Sequence, residues 1–281
     1  MDMNEAAMQV IADLLYAHTG QEITASRRWR IPAALTGVFR DLGIDNVNQL
    51  VCVLDQGLDP TLPRRVVEAL LNNETYFFRD RNYFENLSQH VLPEIARRRA
   101  DTRQLRVWSA GCSTGQEPLS LAMLLRQQRE RWRHWKVEIV ATDVSARAIE
   151  AARSACYNQF EIQRGISVAE MLSHFTETAN RWHANDDLRQ MIRFEQGNIL
   201  SDTPQGEPFD IVLCRNVLLY FEQATRDRAL ARLHAALAPD GWLMLGAGES
   251  PAKHSRLLLP AGCGAGLYRA GPVDRIATAA A

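Results

Sequence analysis

The sequence predicts an α/β protein with a parallel sheet, preceded by an all-helical N-terminal domain. Between Leu105 and Leu245, short apolar runs alternate with segments that have apolar residues at helical spacing. A glycine-containing turn at residues 109–115 joins the first of these runs to the helix that follows. Residues 1–72 instead show helical periodicity throughout. These three observations indicate a small helical domain followed by a larger strand–helix domain.

Composition limits the possible protein classes. The chain has 281 residues, of which 46% are hydrophobic and 23% charged, and its formal net charge is -1. That charge argues against the basic excess of many nucleic-acid binders, so no nucleic-acid partner is expected. The five cysteines are widely spaced and form no C-x-x-C pair, which predicts neither disulfides nor a metal site. No apolar run is long enough to span a membrane, and we expect a cytoplasmic protein without membrane insertion.

The N-terminal domain is predicted to contain four helices, each with an apolar stripe. Five arginines lie between or on these helices and form either a docking face for an acidic partner or an ordinary solvated surface, which is the commoner case. These arginines are Arg27, Arg28, Arg30, Arg64 and Arg65. The predicted helices span residues 4–18, 32–42, 47–54 and 63–71.

An aromatic segment, Asn-Asn-Glu-Thr-Tyr-Phe-Phe-Arg-Asp at residues 72–80, has neither strand nor helix periodicity. One interpretation is an aromatic plug between two domains. The other is a ligand site in which Asn73, Thr75 and Arg79 face the ligand and Phe77 and Phe78 form its walls. A connecting helix is predicted next, over residues 81–99.

The turn after the first strand predicts a ligand cradle. The strand that begins at Leu105 breaks at Gly111, and a helix begins near Pro118 and extends to about residue 131. Glycines allow positive φ, and a helix N-terminus offers free N–H groups to a ligand. The turn contains neither the lysine of a Walker A loop nor the G-x-G-x-x-G of dinucleotide sites. By itself, this pattern fits a ligand site and an ordinary strand–helix turn equally well.

The later strands place polar residues at their predicted carboxyl ends, where open α/β sheets bind ligands. Asp143 ends the second strand and is suited either to ribose hydroxyls or to capping the helix at 146–155, although Ser145 can also cap that helix. Asn198 follows the third strand, and Asn216 and Tyr220 follow the fourth. A polar insertion at 157–193 is too long for a simple connection and indicates a subdomain. The remaining predictions are a short strand with Ile192 and Phe194, strands at 209–214 and 242–245, a helix at 223–237, and a disordered tail at 271–281.

Four motifs in register resemble the CheR family of chemotaxis receptor methyltransferases. They are N-x-T-x-F-F-R at 73–79, S-A-G-C-S-T-G-x-E-P-x-S-x-A-M at 109–123, A-T-D at 141–143 and F-D-x-x-x-C-R-N-V-x-x-Y-F at 209–221. The resemblance extends to about Tyr268 and implies a Rossmann-like, S-adenosylmethionine-dependent methyltransferase sheet with a small inserted β-subdomain. The implied domains are a helical domain at 1–72 and a methyltransferase domain at 73–270, which includes a linker at 73–103 and the insertion at about 157–193.

The resemblance also implies an activity and a set of site residues. Members of the family methylate chemoreceptor glutamates to γ-methyl esters, which tunes receptor adaptation, and S-adenosylmethionine becomes S-adenosylhomocysteine. The implied catalytic residues are Arg79 and Tyr220, the latter beside the methyl group. The implied partner is the cytoplasmic helical region of chemoreceptors, bound by a monomer. The implied cofactor-binding residues are Asn73, Thr75, Arg79, Gly111, Glu117, Asp143, Asn198, Ile199, Asn216 and Val217.

The chemistry of the implied methyl transfer agrees with this resemblance. Two segments differ from the family pattern. A glutamate is already ionised near pH 7, so no general base is needed, and we expect Arg79 to orient groups rather than to neutralise the attacking carboxylate. The segment 175–184 lacks the glycine of family members that bind a receptor pentapeptide, which argues against such tethering. The usual G-H-S-E reads Gly-Ala-Gly-Glu-Ser at 246–250.

Two alternative functions remain open at this point. One is another S-adenosylmethionine enzyme, with the basic strip at residues 126–136 as a nucleic-acid surface, although a solvated helix surface explains that strip as well. The other is a non-catalytic cofactor-sensing signalling partner.

Overall fold

The computed structural model describes residues 3–251, 258–262, 264 and 266–271. The predicted disordered tail lies outside these residues, except for Gly271. The chain separates into two compact units, one of residues 1–72 with 220–225 and the other of residues 73–219 with 226–281. We call them the helical unit and the sheet unit. None of the helices in the described part of the chain has the length and hydropathy that a membrane span requires.

The helical unit is built from five α-helices around an apolar core that includes Ile11, Leu35 and Leu50. The predicted helix at 32–42 is interrupted at Leu35, where φ is -89° and ψ is 1°, so two short helices replace one. On the surface, Arg28 pairs with Glu5. The helices are α1 (Met3–Thr19), α2 (Ile31–Ala34), α3 (Thr36–Leu42), α4 (Val47–Gln56) and α5 (Leu62–Leu70), with a 3₁₀ turn at Ala25–Arg30.

A distant piece of the chain completes the helical unit. The backbone N–H of Glu22 donates to the carbonyl of Tyr220 at 2.8 Å, and the Tyr16 hydroxyl donates to Glu222 at 2.8 Å. The amide of Asn72 donates to the Tyr220 hydroxyl, also at 2.8 Å. Residues 220–225 therefore belong structurally with the first seventy residues, which the sequence analysis did not predict.

The sheet unit begins with a connector of three helical segments, α6 (Arg81–Asn86), a π-helical turn (Leu87–Val91) and α7 (Leu92–Arg98). The strand–helix alternation then follows in the predicted order. The elements are β1 (Gln104–Ala110), α8 (Gln116–Gln127), β2 (Lys136–Asp143), α9 (Ala146–Ser154), β3 (Cys156–Tyr157), α10 (Gln159–Gln163), α11 (Val168–His174), β4 (Phe175–Thr178), β5 (Arg181–Ala184), α12 (Asp186–Arg189), β6 (Ile192–Gln196), β7 (Phe209–Cys214), α13 (Gln223–Ala236), β8 (Leu237–Leu245), β9 (Leu258–Pro260) and β10 (Leu267–Ala270).

The main sheet has the order β6-β2-β1-β7-β8-β10-β9, with the first five strands parallel and the last two antiparallel. The order of the strands reverses at β1: β2 and β6 lie on one side of it, and β7 and β8 lie on the other. Open α/β sheets bind ligands at such a reversal, here between β1 and β7. Ala110 pairs with Thr142, and Asp143 pairs with Gln196, so neighbouring strands end together. We call this side of the sheet the carboxyl edge. The predicted α/β Rossmann-like architecture is confirmed.

The largest differences from the sequence prediction in the sheet unit are two shifted boundaries and two unpredicted strands. Strand β8 begins at Leu237 rather than Trp242, because Leu237 pairs with Phe209 and a register shift in β7 accommodates the extra residues. Helix α8 ends at Gln127 rather than near residue 131. The antiparallel strands β9 and β10 were not predicted, since both are short and lack a strong apolar alternation.

The inserted subdomain contains a three-stranded antiparallel sheet of order β3-β5-β4. Asn158 and Ser167 each begin a helix with a reciprocal capping box. The subdomain packs against the aromatic segment, because the Phe77 ring lies edge-to-face with Tyr157 at 5.1 Å and with Phe175 at 5.4 Å. Phe77 is therefore a core residue that joins the insertion to the rest of the sheet unit.

Candidate functional site

The loop after β1 approaches the loop after β7 closely. The N–H groups of Gly111 and Cys112 both donate to the carbonyl of Thr142, at 2.8 and 2.9 Å. Gly111 has φ of +82°, and a Cβ at this position would lie 2.3 Å from Cγ2 of Val217. Only glycine fits here without displacing its neighbour. The structure thus brings together Gly111 and Val217, two of the predicted site residues.

Asp143 positions the β1 loop from the end of β2. It is 8% exposed, and its carboxylate accepts the Ser113 N–H at 2.8 Å and the Ser145 N–H at 2.9 Å. The Ser145 hydroxyl accepts the Ala148 N–H at 3.0 Å and so caps helix α9. Of the two alternatives for Asp143, helix capping is therefore carried out by Ser145, and the Asp143 charge stays at the carboxyl edge.

Glu117 belongs to a buried charge cluster that the sequence analysis missed. Its carboxylate accepts the Ser109 hydroxyl at 2.9 Å and Nη1 of Arg215 at 3.2 Å. Burial raises the pKa of Glu117, although the Arg215 charge and the Ser109 hydrogen bond oppose that rise. The Arg215 side chain is 1% exposed, and its Nη2 also donates to Asp80 at 2.8 Å. Two carboxylates therefore share one buried guanidinium.

The same arginine fixes the backbone of the aromatic segment. Arg215 Nη2 donates to the Arg79 carbonyl at 2.6 Å, and its guanidinium lies 5.0 Å from the Tyr83 ring centroid. The segment is also held by the Phe78 N–H, which donates to the Ser120 hydroxyl at 2.9 Å. Contacts from β7 and α8 thus determine the course of residues 78–80.

The Arg79 side chain extends away from this cluster. Its Nη1 donates to the Glu74 carbonyl at 3.0 Å, and its guanidinium lies 5.6 Å from the Tyr76 ring centroid. Within the described ranges, no carboxylate lies at ion-pair distance from Arg79. The side chain is half-buried and retains donors for other groups. Its neighbours in the motif, Asn73 and Thr75, are likewise half-buried, and the Asn73 carbonyl accepts the Ser113 hydroxyl at 2.8 Å.

Glu249 holds the loop that contains Asn216. The Glu249 carboxylate is buried and accepts the N–H groups of Gly246, Asn216 and Leu219 at 2.7, 2.8 and 3.3 Å. This explains the acidic residue in the altered 246–250 motif. Asn216 has φ of 59°, and its Oδ1 is buried without a hydrogen-bond partner among the residues that the structure describes. A buried acceptor of this kind is a candidate ligand contact.

The loop after β6 is joined to the same edge. The Gly197 N–H donates to the Asp143 carbonyl at 2.9 Å, which places Asn198 next to the end of β2. Oδ1 of Asn198 accepts the Leu200 N–H at 2.9 Å. The carbonyl of the buried Ile199 accepts Nε of Arg232 at 2.9 Å. The loop is therefore fixed from both sides.

The predicted site residues are divided between the two units. The sheet unit contains all ten residues predicted to bind the cofactor, whereas Tyr220 belongs to the helical unit. Sequence reasoning missed Ser109, Asp80, Arg215 and Glu249. Arg215 had a signal, because it directly follows a buried strand and precedes Asn216, and Glu249 had one as the acidic residue of the 246–250 motif.

One family model and several known proteins match most of this chain. The family model for the "CheR methyltransferase, SAM binding domain" matches residues 73–263. Chemotaxis protein methyltransferase 1 of Pseudomonas aeruginosa is 34% identical over 89% of this chain and 92% of its own length. Chemotaxis protein methyltransferase Cher2 of Pseudomonas putida is 34% identical over 80% of this chain and 83% of its own length. The chemotaxis protein methyltransferase of Vibrio parahaemolyticus is 31% identical, with coverage of 84% and 86%.

Proposed function

The chain belongs to the CheR methyltransferase family, and from this we propose that it methylates glutamate side chains of chemoreceptors to γ-methyl esters, with S-adenosylmethionine as methyl donor. The observation that carries the proposal is the carboxyl edge of the sheet, where hydrogen bonds and close contacts join the loops of Gly111 and Asn216 to Asp143 at the end of β2 and to Glu117 in the first turn of α8. The relatives, which are named chemotaxis protein methyltransferases, support chemoreceptors as the substrates.

The residues at this edge fit S-adenosylmethionine, which carries a sulfonium, an ammonium and a carboxylate. Asp80 and Glu117 share the single Arg215 cation, so the cluster has an excess of negative charge that suits a cationic ligand. The unpartnered Oδ1 of Asn216 is an acceptor for a ligand N–H or hydroxyl. Gly111 allows a ligand to approach the backbone closely, because no side chain projects from it.

We assign the cofactor contacts by region. Asp143 takes the ribose hydroxyls, and Asn198 with Ile199 lies against the adenine. Glu117 faces the ammonium group of the cofactor, and Asn216 and Val217 contact the cofactor from the loop after β7. Asn73, Thr75 and Arg79 contribute from the aromatic segment.

When bound, the cofactor supplies a methyl group activated by a positively charged sulfur. The chain's own residues orient the substrate and exclude water. A receptor glutamate is ionised near pH 7, so no side chain needs to remove a proton. Arg79 orients the groups around the substrate carboxylate without a tight ion pair, because such a pair would lower its nucleophilicity. Arg215 holds the Arg79 backbone in place. The proposed catalytic role of Tyr220, beside the methyl group, rests on the family motif alone.

The proposed partner is the cytoplasmic helical region of a chemoreceptor, bound by a monomeric enzyme in the cytoplasm. The hairpin β4–β5 turns at Ala179 and Asn180, with φ of 51° and 61°, and contains no glycine. We therefore propose that recognition proceeds without a pentapeptide tether at this turn.

A labelling experiment tests the proposed function. Tritiated S-adenosylmethionine is incubated with the full chain and membranes that contain chemoreceptors, and base-labile label on the receptor is the expected result. Base-stable label, label on RNA, or cofactor binding without transfer would each contradict the proposal and would indicate another methyltransferase or a cofactor sensor.

Arg79→Ala tests the role of Arg79 in the same assay. We expect methyl transfer to fall by roughly 100-fold or more, because the substrate is no longer oriented. The exposed Arg97→Ala on helix α7 is the matched control and is expected to transfer normally. Near-normal turnover of Arg79→Ala would remove Arg79 from the mechanism.

A further inference from the structure

A cavity lies at the end of the main sheet where the parallel strands begin, opposite the carboxyl edge. It has a volume of about 460 Å³ and is lined by residues from the end of α8, the loop 128–135 and the start of β2. Because parallel strands begin at this edge, the cavity is separate from the proposed methyl-transfer site. We call it the amino-edge pocket, and its main lining residues are Arg126, Arg129, Trp132, Arg133, Trp135 and Met191.

The floor of the amino-edge pocket is apolar and aromatic. Trp132 and Trp135 pack edge-to-face with their ring centroids 4.9 Å apart. Trp132 is 7% exposed, and its indole N–H has no hydrogen-bond partner in the part of the chain that the structure describes. The half-buried Trp135 is therefore the ring of this pair that a bound apolar side chain can cover.

The rim of the pocket is basic. Three arginines and one acidic residue, Glu130, line the pocket, and the two other cations of residues 126–136 lie outside its lining. Arg126 pairs with Asp187 at 2.7 Å and Arg129 with Glu130 at 3.4 Å, both as solvent-exposed pairs of the kind that contributes little stability. Arg133, also exposed, has no carboxylate at ion-pair distance within the described ranges. The excess of positive charge is therefore available to a partner.

We propose that the amino-edge pocket binds an acidic peptide segment of a partner protein, with one bulky apolar side chain of that segment on the tryptophan floor. Aromatic and arginine side chains are the residue types that contribute most at protein interfaces. Carboxylates on both sides of the apolar side chain match the arginine rim. The site serves recruitment and does not depend on the proposed methyl transfer.

Two other anionic partners fit the pocket less well. Single-stranded nucleic acid stacks successive bases on several exposed aromatic faces, whereas in this pocket Trp132 is almost fully buried and Trp135, half-buried, has room for one apolar group. An anionic membrane surface can attract the exposed arginines of the rim, but its flat headgroup layer does not supply a side chain that enters the pocket and covers the tryptophan floor.

Fluorescence anisotropy with the full chain tests the proposal. The probe is a fluorescein-labelled Glu-Glu-Phe-Glu-Asp peptide, compared with the same peptide carrying Gly for Phe and with Lys-Lys-Phe-Lys-Lys. We expect the acidic Phe peptide to bind and the other two to bind at least roughly tenfold more weakly. The double variant R129E/R133E is expected to weaken binding by roughly tenfold or more, and Trp135→Ala by roughly fivefold.

The matched control is R97E/R228E, which changes the net charge equally at exposed arginines elsewhere in the sheet unit. It is expected to change the Kd by less than about twofold, since no pocket contact is lost. Equal weakening by both double variants would overturn the proposal, as would equal binding of the Gly peptide. Tighter binding of oligothymidine or of phosphatidylglycerol vesicles than of the peptide would also overturn it.

Discussion

Two regions of the sheet unit that contain left-handed backbone conformations adopt them for different reasons. At the carboxyl edge, Asp80, Ser113 and Asn216 have φ of 55°, 50° and 59°. In the inserted hairpin, Ala179 and Asn180 have φ of 51° and 61°. L-residues pay about 1–2 kcal/mol for this conformation. The cost is similar in both regions, but the contacts that impose it are not.

At the carboxyl edge, each left-handed residue is bonded to a side chain far away in the sequence. Arg215 pairs with Asp80, and Glu249 accepts the Asn216 N–H. In the hairpin, the conformation follows from a two-residue turn between the paired Thr178 and Arg181. Strain imposed by tertiary contacts is typical of functional sites, whereas strain in a turn can be relieved locally. Substitutions should therefore have opposite effects in the two regions.

The largest effect is expected from Arg215→Met. The substitution leaves the Asp80 and Glu117 carboxylates without their shared cation, and we expect the free energy of unfolding to fall by about 3–5 kcal/mol. Urea unfolding followed by circular dichroism measures it. The control is Arg81→Met at the start of α6, where the arginine is 46% exposed and pairs with Glu170 of the inserted subdomain, and a loss of about 1 kcal/mol is expected. Equal losses would mean that burial of the Arg215 ion pairs does not increase the cost of removing the arginine.

A smaller loss is expected from Gly111→Ala. The new Cβ must adopt positive φ and also overlaps Cγ2 of Val217, so the expected loss of unfolding free energy is about 2–3 kcal/mol. Gly248→Ala is the matched control, because its φ is +81° but nothing lies within 4 Å of its Cβ position. Its expected loss is about 1 kcal/mol. If the two variants lose the same amount of unfolding free energy, the close contact with Val217 does not explain the glycine at position 111.

Glu117 at the carboxyl edge and Glu170 on helix α11 of the inserted subdomain should also differ in the pH dependence of their contributions to stability. Burial raises the pKa of Glu117 above its ordinary value of 4.5, so the folded state binds more protons in the window above that value. This contribution to stability falls as the pH rises through the window. At Glu170, burial acts in the same direction but hydrogen bonds from Arg81 and Ser167 outweigh it and lower the pKa. Its contribution is therefore lost as the pH falls.

Thermal unfolding from about pH 3 to pH 8 measures this difference. Compared with the parent chain, Glu117→Gln should gain relative stability as the pH rises, and Glu170→Gln should lose it. Slopes of the same sign for both variants would contradict the assigned environments.

The smallest effect is expected from Ala179→Gly. Glycine adopts positive φ without steric cost but loses more entropy on folding, so a net gain of about 0.5 kcal/mol is expected. The control is Ala231→Gly on the exposed face of α13, where a loss of about 1 kcal/mol is expected. A loss at both positions would show that the hairpin turn is not strained.

The sequence predicted the order of the main elements because their signals are local. Buried strands such as residues 209–214 are recognisable from a continuous apolar run that ends at polar residues. The predicted start of β8 was wrong. Pro239 and Gly241 indicate a break in the sequence, but the pairing of Leu237 with Phe209 extends the strand across them. That pairing depends on a second strand and cannot be read from residues 237–245 alone.

The site was predictable where residues follow strands, and not where distant side chains meet. Asp143 and Asn216 were identified because they end predicted strands and because the motifs resemble a family. Asp80 and Arg215 are 135 positions apart, and nothing in either local sequence indicates their ion pair. The buried cluster therefore became evident only in the folded chain. The roles assigned to Arg79 and Tyr220 remain predictions for the labelling assay.

The inclusion of residues 220–225 in the helical unit has a consequence for synthesis of the protein on the ribosome. The first seventy residues emerge early, but Tyr220 and Glu222, the partners of Glu22 and Tyr16, are made much later. Domains generally fold in order of emergence, yet this unit cannot form all its native contacts until most of the chain has been translated. A fragment cut after residue 72 should for the same reason be less resistant to proteolysis than the same residues in the full chain.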